Sequence, residues 1–311
     1  MEKLAYDLFW AGLISTGVSS LGYLLNVLGA RLVPYRLAAT DIGVSVPVPT
    51  GGNGPADLAE AGSRPWAVMG STFAWLAVAF LTGALAARWV AAARPPLSNM
   101  WEYTVAFGWG VSLFYAVSAL RFRQSTLGAV MMPVALALLA AAAAFFPPQV
   151  KPLVPALQAN RVLAAHVGTM MLSYSILSVS FGAAVLYLVQ GERRRPDGRP
   201  SGRFARLPAA ETLEEVGYRS VLVGFPLMAL GIALGAYWGS SAWGRYWGWD
   251  PKETSALVTW LVYAGYLHAR GMRGWRGRRA AWLLIGGFAA VLFSYFAVNL
   301  WISGLHSYAG V

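Results

Sequence analysis

The sequence of 311 residues contains no cysteine. That removes structural disulfides, thiolate metal sites, iron–sulfur clusters and thiol redox chemistry together, and it carries no information about compartment. Charge is also scarce: Asp, Glu, Lys and Arg make up 12% of the residues, about half the share in a soluble domain. With hydrophobic residues at 57% and a mean hydropathy of +0.52, a soluble fold of this length is excluded, because too little polar surface remains to cover it. Histidine occurs only three times. The 13 acids face 24 basic residues, a net charge of +11, which in a membrane protein reflects anionic headgroups and topology rather than nucleic acid. What is abundant is aromatic: 14 Trp, 14 Tyr and 14 Phe, more than interfacial belts alone call for.

A helix of about 20 apolar residues crosses the roughly 30 Å hydrocarbon core. Eight such stretches occur, near 5–29, 66–90, 101–120, 127–146, 164–190, 219–238, 254–271 and 280–302. The expected fold is therefore all-α, a polytopic integral membrane protein of about eight transmembrane helices. Residues 1–65 read as a first helix plus a Pro/Gly linker (40–64), and residues 66–311 as the main membrane domain. A basic stretch at 191–210 reads as a second linker, within a cytoplasmic loop that reaches to about 218. The first stretch is long, carries Asp7 early and lacks a small-residue cleavage site, so it reads as a retained helix rather than a signal peptide. With the N-terminus outside, seventeen basic residues fall inside, among them seven Arg from Arg193 to Arg219 and five from Arg270 to Arg279, against seven outside. The positive-inside rule then places both termini outside. No internal repeat is evident, which weighs against an inverted-repeat transporter.

Between the sixth and seventh stretches, in an outward loop at about 238–254, four Trp and a Tyr crowd within twelve residues: Trp238, Trp243, Tyr246, Trp247 and Trp249. Gly239, Gly244 and Gly248 leave room for something flat to approach the backbone. Two readings stand: an interfacial belt, or a shelf for a large planar ligand on which rings stack. Asp250-Pro251-Lys252-Glu253 has the layout of a helix start, with Asp250 as N-cap, Pro251 first and Glu253 third. Asn99-Met100-Trp101-Glu102 repeats the cap pattern.

The histidines divide two to one. His166 falls at the outer end of the fifth stretch and His306 just beyond the eighth, both on the face of the aromatic loop. Each alone also fits an ordinary interfacial residue. Together with the loop they suit a haem, a flat macrocycle whose iron has two axial positions that neutral imidazole commonly fills. His268 lies 18 residues after Asp250, about 27 Å along a helix, and cannot reach the same iron. An ionisable group within a span is a functional candidate by default, but its ligand partner would have to come from another chain.

The stretch Trp243-Gly-Arg-Tyr-Trp-Gly-Trp-Asp250-Pro-Lys-Glu-Thr, continued by Thr259 to His268, resembles the tryptophan-rich WWD signature of the haem-handling proteins of cytochrome c biogenesis, most closely the CcsA (ResC) branch of System II. Pro96 to Glu102, His166 with Met170 to Tyr174, and Asn299-Leu300 with Gly304 to Tyr308 extend the resemblance. It implies that His166 and His306 hold haem iron at an external site with Trp243, Trp247, Trp249 and Asp250, and that Trp238 and Tyr246 add cofactor contacts. It implies that His268 belongs to a second, cytoplasm-side haem site completed by a CcsB (ResB) partner. The implied activity is delivery of haem b across a bacterial inner membrane and its thioether attachment to the Cys-x-x-Cys-His motif of apocytochrome c, with a separate pathway reducing the thiols. Arg161, Arg245 and Lys252 could meet haem propionates or simply be solvated. The length of the 40–64 linker departs from the family pattern. A System I haem presenter of the CcmC kind is the alternative; its usual six or so spans fit less well than eight. A haemless transporter would need charges along a path, of which only His268 is well placed.

Overall fold

The computed structural model describes residues 1–28, 55–122, 124–150, 161–191 and 207–306. Eight long helices follow one another: α1 (Glu2–Leu28), α2 (Pro55–Ala92), α3 (Met100–Phe122), α4 (Gly128–Phe145), α5 (Arg161–Gln190), α6 (Ala210–Trp243), α7 (Pro251–Met272) and α8 (Arg278–Leu300). No strand occurs among the described residues, and the fold is all-α as expected. Two boundaries move. α2 begins at Pro55, so the last ten residues of the stretch read as linker are helical. α6 begins at Ala210, because Glu211, Glu214 and Glu215 lower the hydropathy of its first turns while Leu213 and Val216, three apart, are buried. The remaining linker residues 40–54, the basic residues 192–206, and Ser307 and Tyr308 lie outside the described residues.

Neighbouring helices pack antiparallel through small residues, as close approach between membrane helices favours. A Cβ on Gly12 would strike Leu81, and one on Gly22 would strike the Gly70 backbone, which locks α1 along α2. Ser173 Oγ donates to Gly224 O at 2.8 Å between α5 and α6. Tyr263 of α7 lies over Gly287 of α8. At the centre the Phe107 ring of α3 meets Tyr174 of α5 at 6.1 Å and Tyr295 of α8 at 5.3 Å. The alternation gathers the starts of α3, α5 and α7 and the ends of α2, α6 and α8 at one pole. Arg270, Glu214 and Tyr218 meet at the opposite pole, with Arg270 3.7 Å from Glu214 and 4.5 Å over the Tyr218 ring.

Among the described residues seven helices are long and apolar enough to cross a membrane; α7 is not among them. Its 22 residues span ~33 Å, enough for the hydrocarbon core, but Lys252, Glu253, Thr254 and Ser255 at one end and His268 and Arg270 at the other lower its hydropathy. The same polar first turn builds the site described next.

Candidate functional site

The site starts from a helix cap. Asp250 accepts from the Lys252 N–H at 3.1 Å, Pro251 takes the first helical position, and Glu253 Oε2 accepts from the Asp250 N–H at 3.1 Å and the Gly248 N–H at 2.8 Å. This is the capping box read from the sequence. The Asp250 carboxylate does more. Its Oδ1 accepts from the Leu305 N–H at 2.6 Å, and its Oδ2 lies 2.8 Å from His306 Nδ1. Gly304 permits that approach, since a Cβ there would sit 2.5 Å from Oδ1. Burial pushes the Asp250 carboxyl up, but the hydrogen bonds from His306, Leu305 and Lys252 outweigh it and hold the group below its ordinary value.

A carboxylate can only accept, so His306 carries its proton on Nδ1 and its basic nitrogen is Nε2. His166, in the second turn of α5, is held the same way: Nδ1 lies 2.7 Å from Gly231 O on α6, and a carbonyl likewise only accepts. Its ring rests on α6 at Gly235, where a Cβ would come within 2.6 Å of Cε1. Both imidazoles are thus oriented through Nδ1 with Nε2 basic, the arrangement of metal-ligating histidines.

His166 and His306, from different parts of the chain, line one cavity with Trp243 and Trp247. The cavity opens to the outside, with about 920 Å³ of empty space when the solvent at its mouth is counted. Trp243 stands edge-on to His306 at 4.8 Å and is backed by Trp238 at 4.7 Å. Flat aromatic walls and two oriented imidazoles fit a haem.

Not every expected contact reaches this cavity. Trp238 is 1% exposed and packs with Leu163 behind Trp243, so it supports the wall. Trp249 and Tyr246 are exposed on the outside of the loop, Trp249 edge-on to Trp247 at 5.8 Å. Trp249 adopts a φ of 56°, rare for a bulky residue, with its indole outward. Asp250 sits behind His306. His268 is exposed near the far end of α7, about 27 Å from Asp250 along the axis. Two of the three loop glycines are filled by the loop itself: Trp243 lies against Gly239 and the Arg245 guanidinium against Gly248. Arg161 and Arg245 are exposed.

Lys252 instead faces the cavity, with Tyr103, Tyr174, Tyr295 and Asn299. None of these four was read from the sequence as part of the site, although Tyr174 and Asn299 fall in the stretches that carry the family resemblance. α8 also takes a π-turn at Phe293–Ala297, a common device at functional sites.

Residues 97–306 match the family described as cytochrome c assembly protein. The cytochrome c biogenesis protein CcsA of Synechocystis sp. is 37% identical over 300 residues, covering 79% of this chain and 89% of its own. CcsA of Thermosynechococcus vestitus is 40% identical over 265 residues, covering 73% and 83%. The solved cytochrome c haem lyase CcmF shares the fold with a TM-score of 0.59 at 20% identity over 93% of this chain, which spans 46% of that one. With the family match running from just before α3 to His306, and relatives this similar along most of its length, the chain belongs to the cytochrome c assembly protein family, as a CcsA-type member.

Proposed function

We propose that the chain carries haem b across the bacterial inner membrane and attaches it to apocytochrome c on the outer face, as the CcsA half of a synthase whose other half is CcsB-like. The observation that carries this reading is the pair of imidazoles, each tethered through Nδ1 to a protein acceptor, on the wall of one aromatic cavity. The arginine-rich pole, with Arg270 to Arg279, is the cytoplasmic one by the positive-inside rule, which sets the cavity outside and α7 across the membrane as the eighth span. Haem enters from the cytoplasmic side at His268 with the partner's help and leaves at the cavity.

There His166 and His306 take the two axial positions of the iron and hold the macrocycle against Trp243 and Trp247. The work of these residues is positioning. Each cysteine thiol of the apoprotein adds across a vinyl C=C: sulfur bonds to the carbon next to the ring, the thiol hydrogen ends on the outer carbon, and no electrons are gained or lost. The histidine of the Cys-x-x-Cys-His motif replaces one axial ligand on release. With no cysteine, this chain forms no thioether itself and leaves thiol reduction to another system.

The test is to purify the chain from haem-sufficient cells and compare absorption spectra of the wild type, His166→Ala and His306→Ala. Loss or displacement of the haem band in both variants is expected; equal haem with the same spectrum in all three would overturn the ligand assignment. Co-expression with a CcsB-like protein and an apocytochrome tests attachment, and thioether formation that does not depend on the partner would refute the half-synthase.

A further inference from the structure

Lys252 is the cavity's one cationic side chain among the described residues. Its Nζ donates to Ser294 O at 2.8 Å and to Asn299 Oδ1 at 3.0 Å, and lies 5.9 Å from the Tyr295 ring. Both acceptors are neutral, and the third ammonium proton has none. Asp250, the carboxylate whose field reaches it, is committed to His306, Leu305 and the Lys252 backbone. A partly buried ammonium with no carboxylate in direct contact is costly.

The surroundings are built to hold that ammonium in place. The π-turn sends the Val298 N–H to Phe293 O, five residues back, so Ser294 O loses the donor an α-ladder would supply and is offered to Lys252. Asn299 Nδ2 donates to Tyr295 O at 2.7 Å, which turns Oδ1 toward the lysine. Beside them Tyr174, 1% exposed and on the cavity wall, turns its hydroxyl toward Ser294, which is itself joined to Ser255 at 2.9 Å. The third ammonium proton thus faces the cavity; Glu253, the carboxylate on the same wall, is bonded to the Gly248 and Asp250 N–H groups, so a negatively charged group on the occupant supplies the acceptor that Lys252 lacks.

We propose that Lys252 is the seat for a carboxylate of the cavity's occupant, a propionate of haem, and so decides which edge of the macrocycle enters the wall. The propionates occupy one edge of haem b and the vinyls lie away from it, so a propionate at Lys252 turns the reacting groups away from this wall. The lysine is a positioning residue. This rests on the haem reading of the cavity.

The experiment compares haem with its dimethyl ester, which keeps iron and ring but lacks the carboxylates, on purified wild type, Lys252→Met and Lys252→Arg. Wild type is expected to bind haem about ten- to hundredfold more tightly than the diester, the range for a hydrogen bond to a charged group. Lys252→Met should bind both as wild type binds the diester, with the histidine-dependent band retained, and Lys252→Arg should keep a preference for haem. A wild type indifferent to esterification, or a Lys252→Met that still prefers haem, overturns the seat alone. If neither ligand gives a band sensitive to His166→Ala or His306→Ala, the haem reading fails and the seat with it. The wild-type comparison needs no variant to fold.

Discussion

Asp250 has two duties that one substitution can separate. Serine caps a helix about as well as aspartate, so Asp250→Ser keeps an acceptor for the Lys252 N–H. Its single, shorter hydroxyl cannot also reach Leu305 N and His306 Nδ1, now bonded at 2.6 and 2.8 Å. Hydrogen bonds to a charged group contribute about 1.5–3 kcal/mol, and loss of the group that orients a metal-binding histidine typically lowers affinity about 10–100-fold. Haem affinity should therefore fall by that factor, while the helix changes by only a few tenths of a kcal/mol. Asp250→Asn, though nearly isosteric, should also fall short of wild type. With its amide nitrogen toward His306, the imidazole must move its proton to Nε2, which removes the basic nitrogen; with the nitrogen toward Leu305, the amide oxygen still accepts from His306, but the Leu305 bond and the charge are lost. Haem titration of the detergent-purified chain, followed by absorbance, reads the first effect, and thermal melting without haem reads the second. Wild-type haem affinity in Asp250→Asn, or a Asp250→Ser chain that loses melting temperature but not haem, would refute the tether.

Gly235→Ala places a Cβ 2.6 Å from His166 Cε1 and 2.8 Å from Nδ1, which must push the ring off Gly231 O; haem occupancy should drop about tenfold, whereas Gly265→Ala, where nothing lies within 4 Å, should leave it unchanged. Occupancy measured by pyridine extraction of the purified variants decides, and equal loss in both would remove Gly235 from the argument. Glu102 is fully buried at the start of α3 and pairs with Arg88 at 2.9 Å and Arg94 at 3.4 Å. Glu102→Gln leaves the buried Arg88 guanidinium without this counter-charge, a loss of about 3–5 kcal/mol, which a melting curve in detergent would show as a marked fall; an unchanged curve would mean that solvent or lipid already screens the pair.

The bundle was legible because lipid imposes a length on every span, so apolar runs near 20 residues marked all eight helices. Where the structure departs from that reading, amphipathic or polar turns intervene. The start of α6 hides behind three glutamates, of which Glu214 turns inward to meet Arg270 and the Gly277 N–H. α7 passed as a span on the strength of residues 254–271 although its ends are polar. The π-turn at Phe293–Ala297 had no signal at all, since its five residues keep the hydropathy of the helix and only the hydrogen-bond register changes. Yet that shift is what offers Ser294 O to Lys252.

The site was legible in its place but not in its internal division of labour. Rare histidines on the pole of a tryptophan cluster identified the cavity, yet composition cannot say which indole faces inward: Trp243 does, Trp238 backs it, and Trp249, at a positive φ, has its ring outward. Asp250 shows why a complete structural explanation of a residue does not exhaust it. An ionised carboxylate offers about four lone-pair directions on two oxygens, and a cap uses one of them. The capping signature accounted for Asp250 locally, while the remaining capacity was taken by a turn 55 residues later in the chain, a pairing that no local pattern encodes. Lys252 repeats the case: its backbone serves the same cap while its side chain faces the cavity, so the first turn of α7 is at once the start of a helix and the polar wall of the site.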